Sequence, residues 1–251
     1  MAWLVNVLFR TSISVDARGE CGGNLPEDTM LKIVTLQKRR AGLSVEDFQN
    51  HLREAYGPLA ARGPGLARYV QSCALPQGYA KGELLFDAIG EMWFNSAGAC
   101  KTYFASPQFD AVRAEEGSFL DVARTVVMPV DVHVIKDGRV PNNAVKNIEF
   151  VNKRPSMALA PFRDYWRTVH GQLAATIPVL HRYEQNHLAL GEYEKAGVLS
   201  YDGLAVTWFA STADMKRGTT TPEYAATRAD ERNFLPDGHL PIIIAREHRV
   251  I

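Results

Sequence analysis

The sequence predicts an α+β fold: two tandem ferredoxin-like domains of βαββαβ order, packed against each other within one chain. Three observations lead to this prediction. The chain contains an internal repeat, because residues 48–71 and 162–185 are identical at 11 of 24 ungapped positions and residues 86–120 and 201–235 at 12 of 35. Each repeat alternates short β-rich runs with segments of helical periodicity. A four-stranded sheet with helices on one face must also bury its other face, and a second copy can cover it.

The elements of the first repeat follow from local patterns. Ser44 and Asp47 are spaced as a helix capping box, and apolar residues follow at helical spacing until the Gly-Pro-Gly at 63–65. Strands are predicted over residues 31–38, 66–75, 84–94 and 126–135, and a second helix over residues 107–123. The second repeat is predicted to reproduce this order, βαββαβ, between residues 146 and 250.

The same patterns divide the chain. We expect residues 1–29 to be a loose N-terminal extension, because regular patterning begins only at Met30, which makes Met30 an alternative start of translation to Met1. The first domain is then expected over residues 30–137, a polar linker over 138–144 and the second domain over 145–251.

Composition limits the function classes. Lys+Arg and Asp+Glu both total 28, so the formal charge is zero, which argues against nucleic-acid binding. No apolar run approaches the roughly 20 residues needed to cross a bilayer, so no membrane partner is expected. The cysteines Cys21, Cys73 and Cys100 form no C-x-x-C pair, which favours a reducing cytoplasm and predicts neither disulfides nor a zinc knuckle. Nucleotide-binding, serine-hydrolase and zincin motifs are missing, so we expect a small-molecule substrate and no cofactor.

One segment of the second repeat carries a family resemblance. Residues 162–174 have the sequence FRDYWRTVHGQLA, and residues 178–187 follow as P-x-L-x-R-Y-x-Q-N-H. Both motifs resemble the EthD family of the dimeric α/β-barrel superfamily, although Gln172 stands where that family has proline. The resemblance covers roughly residues 30–251 in two copies. It implies an intramolecular dimeric α/β-barrel, with room for a further homodimer, and chemistry such as lactone isomerisation, polyketide cyclisation or cofactor-free oxygenation.

The two repeats differ where the motif has histidines. His170 of the second repeat aligns with Tyr56, and His187 aligns with Cys73. We therefore expect the working site in the second repeat and a degenerate site in the first. His170 is predicted to act as a general acid or base, with His187 and Tyr183 polarising or orienting the substrate. For His170 the alternative is a core histidine, and for Tyr183 a structural role.

Spacing suggests the surroundings of this site. Residues at spacings of three and four predict that His170 faces the sheet together with Phe162, Trp166, Val169 and Leu173. The candidate substrate-binding residues are Trp166, Trp208, Phe209 and Tyr224. Core packing is the alternative for these aromatic side chains. No carboxylate cluster accompanies the histidines, so no metal site is predicted.

The sequence therefore predicts an enzyme of catabolic or secondary metabolism that moves protons, as a lyase, isomerase or cyclase, on a lactone, polyketide or aromatic-derived substrate. Three alternatives stay open. The chain could be a cofactor-free oxygenase or an accessory protein of an oxidative degradation system. It could be a haem protein similar to chlorite dismutases, which also join two ferredoxin-like units. It could also bind a metabolite without catalysis.

Overall fold

The computed structural model describes residues 30–195 and 199–251, so the predicted extension over residues 1–29 lies outside the described residues. The strands are β1 (Leu31–Gln37), β2 (Leu66–Ala74), β3 (Ala88–Phe94), β4 (Val126–Lys136), β5 (Val145–Val151), β6 (Arg182–Leu188), β7 (Gly203–Phe209) and β8 (Ile242–Arg249). They form a closed antiparallel barrel in the order β1-β3-β2-β8-β5-β7-β6-β4.

Helices cover the outside of this barrel. In the first repeat they are α1 (Val45–His51, Leu52–Tyr56 and Gly57–Ala60, in continuous succession), α2 (Ala97–Phe104) and α3 (Pro107–Phe119). In the second repeat they are α4 (Leu159–Tyr165, Trp166–His170 and Gly171–Ala175, also continuous), α5 (Thr212–Gly218) and α6 (Pro222–Asp230). Short 3₁₀ turns lie at Pro76–Lys81, Val122–Arg124, Leu190–Glu194 and Glu231–Asn233. No helix among the described residues is long and apolar enough to cross a membrane.

The predicted fold is confirmed, and the structure shows how the repeats join. Strand β8 pairs with β2, and β4 pairs with β6, so the last strand of each repeat extends the sheet of the other. This closure leaves no open sheet edge within the barrel. Two short helices, α2 and α5, were not predicted, because seven or eight residues give little periodicity. Their starts are marked by the capping serines Ser96 and Ser211, whose side chains accept hydrogen bonds from the first helical turn.

Alternate strand residues point into the barrel, where an apolar cluster surrounds a buried ion-pair network. Lys32 and Lys146 occupy equivalent positions in the two repeats, and both contact the carboxylate of Glu91. The Lys32 side chain also donates to Asn186 of the second repeat at 2.8 Å, and Lys146 donates to Ser72 of the first at 3.2 Å. The repeats are therefore joined by charge-assisted hydrogen bonds as well as by strand pairing.

The remaining strand residues point outward, beneath the helices. They form two separate apolar cores, one in each repeat. In the first repeat this core is packed solidly around buried aromatic rings such as Phe48, Tyr103 and Phe119. The second repeat differs, because a cavity interrupts the core between its sheet and its helices.

Candidate functional site

A cavity of about 180 Å³ lies between the outer face of the second repeat's sheet and the helices α4, α5 and α6. Its apolar wall includes Val151, Trp166, Ile177, Phe209, Tyr224 and Phe234. Its polar lining consists mainly of Asn147, Glu149, His170, Thr207, Arg228 and Glu231. An apolar cavity with a few convergent polar groups is the usual form of a small-molecule site.

The equivalent space in the first repeat is filled. Strand pairing fixes the correspondence, since Ile33 pairs with Met92 in the first repeat and Asn147 pairs with Thr207 in the second. The core positions of Ile33 and Met92 in the first repeat are therefore occupied by the polar residues Asn147 and Thr207 in the second. A third position, Thr35, corresponds to Glu149 by the same register.

Helical positions change in the same way. Tyr103 is fully buried in the first repeat and donates a hydrogen bond to the carbonyl of Ala60 at 3.1 Å. The repeat places Gly218 at that position in the second copy, where it lines the cavity. The cavity therefore exists because the second repeat carries smaller and more polar residues at positions that the first repeat uses for packing.

His170 reaches the cavity because helix α4 contains a π turn, Trp166–His170. The carbonyl of Trp166 accepts a hydrogen bond from the backbone N–H of Gly171 and a second one from Nε2 of Gln185, at 2.7 Å. A Cβ at Gly171 would lie 2.9 Å from that Nε2 atom, so only glycine allows this approach. The first repeat has the same arrangement around Gly57, which explains why both repeats keep this glycine and glutamine.

The π turn also changes which residues face inward. Side chains at a spacing of four, Phe162, Trp166, His170 and Ala174, are buried in succession. Val169 was expected on this face, but 41% of its surface is exposed. The wider π turn carries it toward solvent, a change that a regular helical period does not anticipate.

His170 is held by an ionic partner that the sequence did not suggest. Its Nδ1 lies 3.0 Å from Oδ2 of Asp230, at the end of α6, and both side chains are largely buried. Asp230 also accepts hydrogen bonds from the Tyr165 hydroxyl at 2.5 Å and from Asn233 at 2.9 Å. Burial raises the pKa of Asp230, but these hydrogen bonds outweigh burial and leave it below the usual value. The ionised Asp230 therefore accepts the Nδ1 proton, which leaves Nε2 of His170 as the basic nitrogen.

Burial shifts the pKa values of the cavity's ionisable groups in opposite senses. It lowers the pKa of His170, despite the opposing effect of Asp230, so the imidazole is neutral near pH 7. It raises the pKa of Glu149, which accepts a hydrogen bond from Asn147 at 2.8 Å. It also raises the pKa of Glu231 to about 7, although Arg228 donates to this carboxylate at 2.6 Å. The cavity thus combines a neutral base with a carboxyl group, Glu231, that titrates near neutrality.

Five of the seven residues predicted for the site meet in this cavity: His170, Tyr183, Trp166, Phe209 and Tyr224. Among them the buried Tyr183 hydroxyl accepts a hydrogen bond from Gln185 at 3.0 Å, and burial raises its pKa. The structure also adds residues that the sequence analysis missed: Asn147, Glu149, Thr207, Asp230 and Glu231. Comparing the repeats would have revealed Asn147 and Thr207, because these two polar residues replace Ile33 and Met92 of the first repeat, whereas Glu149, Asp230 and Glu231 align with residues that are already polar.

Trp208 does not line the cavity. Neighbouring residues of a strand point to opposite faces, so Trp208 and Phe209 cannot share one wall, and the expectation that they do is wrong. Trp208 lies inside the barrel, where its Nε1 donates to Glu247 at 3.2 Å and the ammonium of Lys146 is 4.9 Å from its ring.

His187 is also outside the cavity. It is buried and stacks on Trp166 with ring centroids 4.3 Å apart, and it is not among the residues that line the cavity. Burial lowers its pKa to about 2, so the ring stays neutral. The structure therefore does not bring His187 and His170 together at a substrate. The described part of the chain also contains no group of three or more His, Cys, Asp or Glu side chains placed to hold a metal ion.

The sequence pattern of the EthD domain matches residues 40–123 and residues 154–237, which together make up more than half of the chain. The chain belongs to the EthD family. Each match lies within one of the two repeats, so this EthD protein carries the domain twice. No curated protein sequence matches it.

Solved structures resemble the whole barrel of this EthD protein. An anthrone oxidase-like protein superposes with a TM-score of 0.62 at 10% identity, covering 89% of this chain and 94% of the other. A proposed monooxygenase from Lactobacillus acidophilus NCFM gives 0.53 at 11% identity, covering 89% and 95%. A proposed chlorite dismutase gives 0.52 at 12% identity, covering 88% and 95%. At these identities the comparisons establish the fold and nothing more specific.

The haem expected for a chlorite-dismutase-like protein does not fit this site. A protein cavity of about 150 Å³ accommodates one benzene molecule. The cavity around His170 measures about 180 Å³ and is therefore too small for a macrocycle of four pyrrole rings. Glu149 and Glu231 further line its wall with carboxyl groups, which do not suit a large apolar macrocycle.

Proposed function

We propose that this EthD protein is an enzyme that moves protons on a small, uncharged molecule of about one ring, as a lyase, isomerase or cyclase. A lactone or a small polyketide or aromatic derivative has the required size and an oxygen that can accept a hydrogen bond. The reaction would use side chains and water, without a nucleotide cofactor.

The observation that carries this proposal is the replacement of core residues by polar ones in the second repeat alone. Burying a polar side chain in a protein core costs stability unless it is hydrogen-bonded, so several such replacements around one cavity favour a functional role. Here the change concerns neighbouring positions on β5, β7 and α4 that all face the same cavity. In the first repeat the equivalent Tyr56 donates to Glu116 at 2.9 Å, and solid packing surrounds it.

The ionisable groups support a division of roles. Asp230 holds His170 in the tautomer whose Nε2 can take a proton from carbon next to a carbonyl. The carboxyl group of Glu231, when protonated, can donate a hydrogen bond to the oxygen on which negative charge develops. Pairs of groups whose surroundings separate their pKa values in this way are typical of acid–base catalysis. Trp166, Phe209 and Tyr224 would exclude water and pack against the ring.

The isomerisation of α-angelica lactone, a five-membered ring with one methyl group, tests this proposal. We expect the protein to accelerate movement of its double bond, followed by ultraviolet absorbance or by proton exchange in D₂O. His170→Ala should lower the rate by at least about 100-fold, the usual contribution of a general base. The matched variant Tyr56→Phe, at the equivalent position of the first repeat, should retain the wild-type rate.

Other outcomes would point to other functions. Turnover by His170→Ala at the wild-type rate would remove His170 from the mechanism. Oxygen uptake with a monocyclic phenol such as resorcinol would instead favour cofactor-free oxygenation. A ligand that raises the melting temperature of the protein without any product would favour a metabolite-binding protein.

A further inference from the structure

We propose that His187 is a positioning residue, which orients His170 through the side-chain amide of Gln185 and does not meet the substrate. This inference rests on the proposed function of His170. It gives a role to the second motif histidine, which does not line the cavity.

The first step is the hydrogen bond between His187 and Gln185. Nε2 of His187 lies 3.0 Å from Oε1 of Gln185. Because Nε2 of Gln185 donates to the carbonyl of Trp166, the other end of the amide is its oxygen, and the His187 nitrogen must be the donor. The His187 donor therefore stabilises the Gln185 amide in the orientation in which Nε2 faces the Trp166 carbonyl. Its buried Nδ1 has no hydrogen-bond partner among the described residues, as expected for the nitrogen without a proton.

The second step leads from Gln185 to His170. Nε2 of Gln185 donates to the carbonyl of Trp166 at 2.7 Å and to the hydroxyl of Tyr183 at 3.0 Å. The Trp166 carbonyl also accepts the Gly171 N–H, and this bond closes the π turn that ends at His170. A rotated amide would place its oxygen against that carbonyl, where two acceptors repel each other. The His187 ring also stacks on the Trp166 side chain, with ring centroids 4.3 Å apart, and so contacts the first residue of the same π turn.

The first repeat provides an internal comparison. Gln71 makes the same bonds, to the carbonyl of Leu52 at 2.8 Å and to the Tyr69 hydroxyl at 3.2 Å. Cys73 stands in place of the histidine, and Oε1 of Gln71 is buried without a hydrogen-bond partner in the described part of the chain. A thiol is only a weak donor. The repeat that lacks the His170 equivalent thus also lacks the donor that fixes the amide, whereas the glutamine itself is common to both.

Two substitutions separate the donor from the ring. His187→Phe keeps an aromatic ring against Trp166 but cannot donate, and His187→Gln keeps a donor at a similar reach without the ring. In the full-length protein we expect His187→Phe to increase the hydrogen-exchange rate of the Gly171 amide roughly five- to tenfold, the effect of losing about one hydrogen bond. His187→Gln should stay within about twofold of wild type. Cys73→Ser, at the equivalent position of the first repeat, is the control and should leave Gly171 unchanged.

Turnover of α-angelica lactone gives a second readout. His187→Phe should lower kcat by roughly 10- to 100-fold with little change in KM, because a displaced base slows the chemical step more than binding. His187→Gln should restore most of kcat. The positioning role would be overturned if both variants lost the same activity. It would also be overturned if the exchange rate of the Gly171 amide stayed unchanged in His187→Phe, or rose only together with that of every other amide. If the wild-type protein turns over no lactone, the proposed function fails while Gly171 exchange still decides the role of His187.

Discussion

Replacing Glu231 by glutamine should make the protein more stable at pH 8 and leave its stability nearly unchanged at pH 4.5. Burial raises the pKa of this carboxyl group from its usual 4.5 to about 7, and the nearby Glu149 adds to the effect of burial. In the unfolded chain the group loses its proton near pH 4.5, whereas in the folded protein it keeps the proton until about pH 7. Ionisation therefore favours the unfolded state increasingly across this interval, and the free energy of unfolding falls as pH rises.

The magnitude follows from the displacement of the pKa. One pKa unit corresponds to about 1.36 kcal/mol, so a displacement from 4.5 to about 7 amounts to about 3 kcal/mol above pH 7. Glutamine does not ionise and so removes this loss. The pKa of about 7 already includes the favourable effect of Arg228, which lies 2.6 Å away, so the ion pair is not subtracted again. We therefore expect Glu231→Gln to gain roughly 3 kcal/mol over wild type at pH 8.

The assay is urea unfolding of both proteins between pH 4.5 and pH 8.5. Glu54→Gln, a substitution at an exposed position of the first repeat, serves as the control and should not change the pH dependence. The decisive quantity is the stability difference between Glu231→Gln and wild type as a function of pH. A difference that stays constant with pH, or that becomes smaller as pH rises, would show that Glu231 ionises normally and would refute its assignment as a protonated group of the cavity.

The remaining predictions concern the ion-pair network, the cavity and the histidine partner. Glu91→Gln should destabilise the protein by about 3–5 kcal/mol in urea unfolding, because it removes the carboxylate shared by two fully buried lysines, Lys32 and Lys146; an effect below about 1 kcal/mol would contradict this. The pKa of Glu91 is lowered to about 2, since the nearby lysines outweigh burial, so its contribution should persist above pH 4.5 and be lost as pH falls toward 2. Thr207→Met, which installs the residue of the first repeat, should fill the cavity, preserve the fold and weaken binding of lactone probes at least tenfold, as measured by calorimetry; unchanged binding would place the ligand elsewhere. Asp230→Asn should lower turnover about as strongly as His170→Ala if it stabilises the wrong imidazole tautomer, and NMR of the His170 ring nitrogens would detect that change.

Much of the architecture could be predicted from local pattern. The repeat fixed the number of folding units, and strand and helix periodicity gave their order. The short helix Thr212–Gly218 was missed because seven residues give little periodicity, and Val169 was placed on the wrong face because the π turn departs from a regular helix. Both errors arise where the backbone leaves the ideal geometry on which pattern reasoning depends.

The candidate site was only partly accessible to such reasoning. The two repeats share one fold, so the presence of His170 where the first repeat has Tyr56 indicated that the site lies in the second repeat. The pairing of His170 with Asp230 could not be foreseen, since the two residues lie on different helices and meet only when α4 and α6 pack on the same sheet. His187 was assigned to the site because it is a motif histidine that only the second repeat keeps, and Trp208 because it is aromatic, but neither side chain lines the cavity.

The sequence by itself determined that this protein is a duplicated α+β chain with an asymmetric second half, because duplication and period are properties of residue order. The tertiary structure decided that the asymmetry takes the form of a cavity, that Glu149 and Glu231 join His170 there, and that His187 stacks on Trp166 without lining the cavity. The physical reason is that packing and burial depend on which elements meet. The free space beside a side chain and the pKa of its ionisable group both depend on neighbours that are remote along the chain.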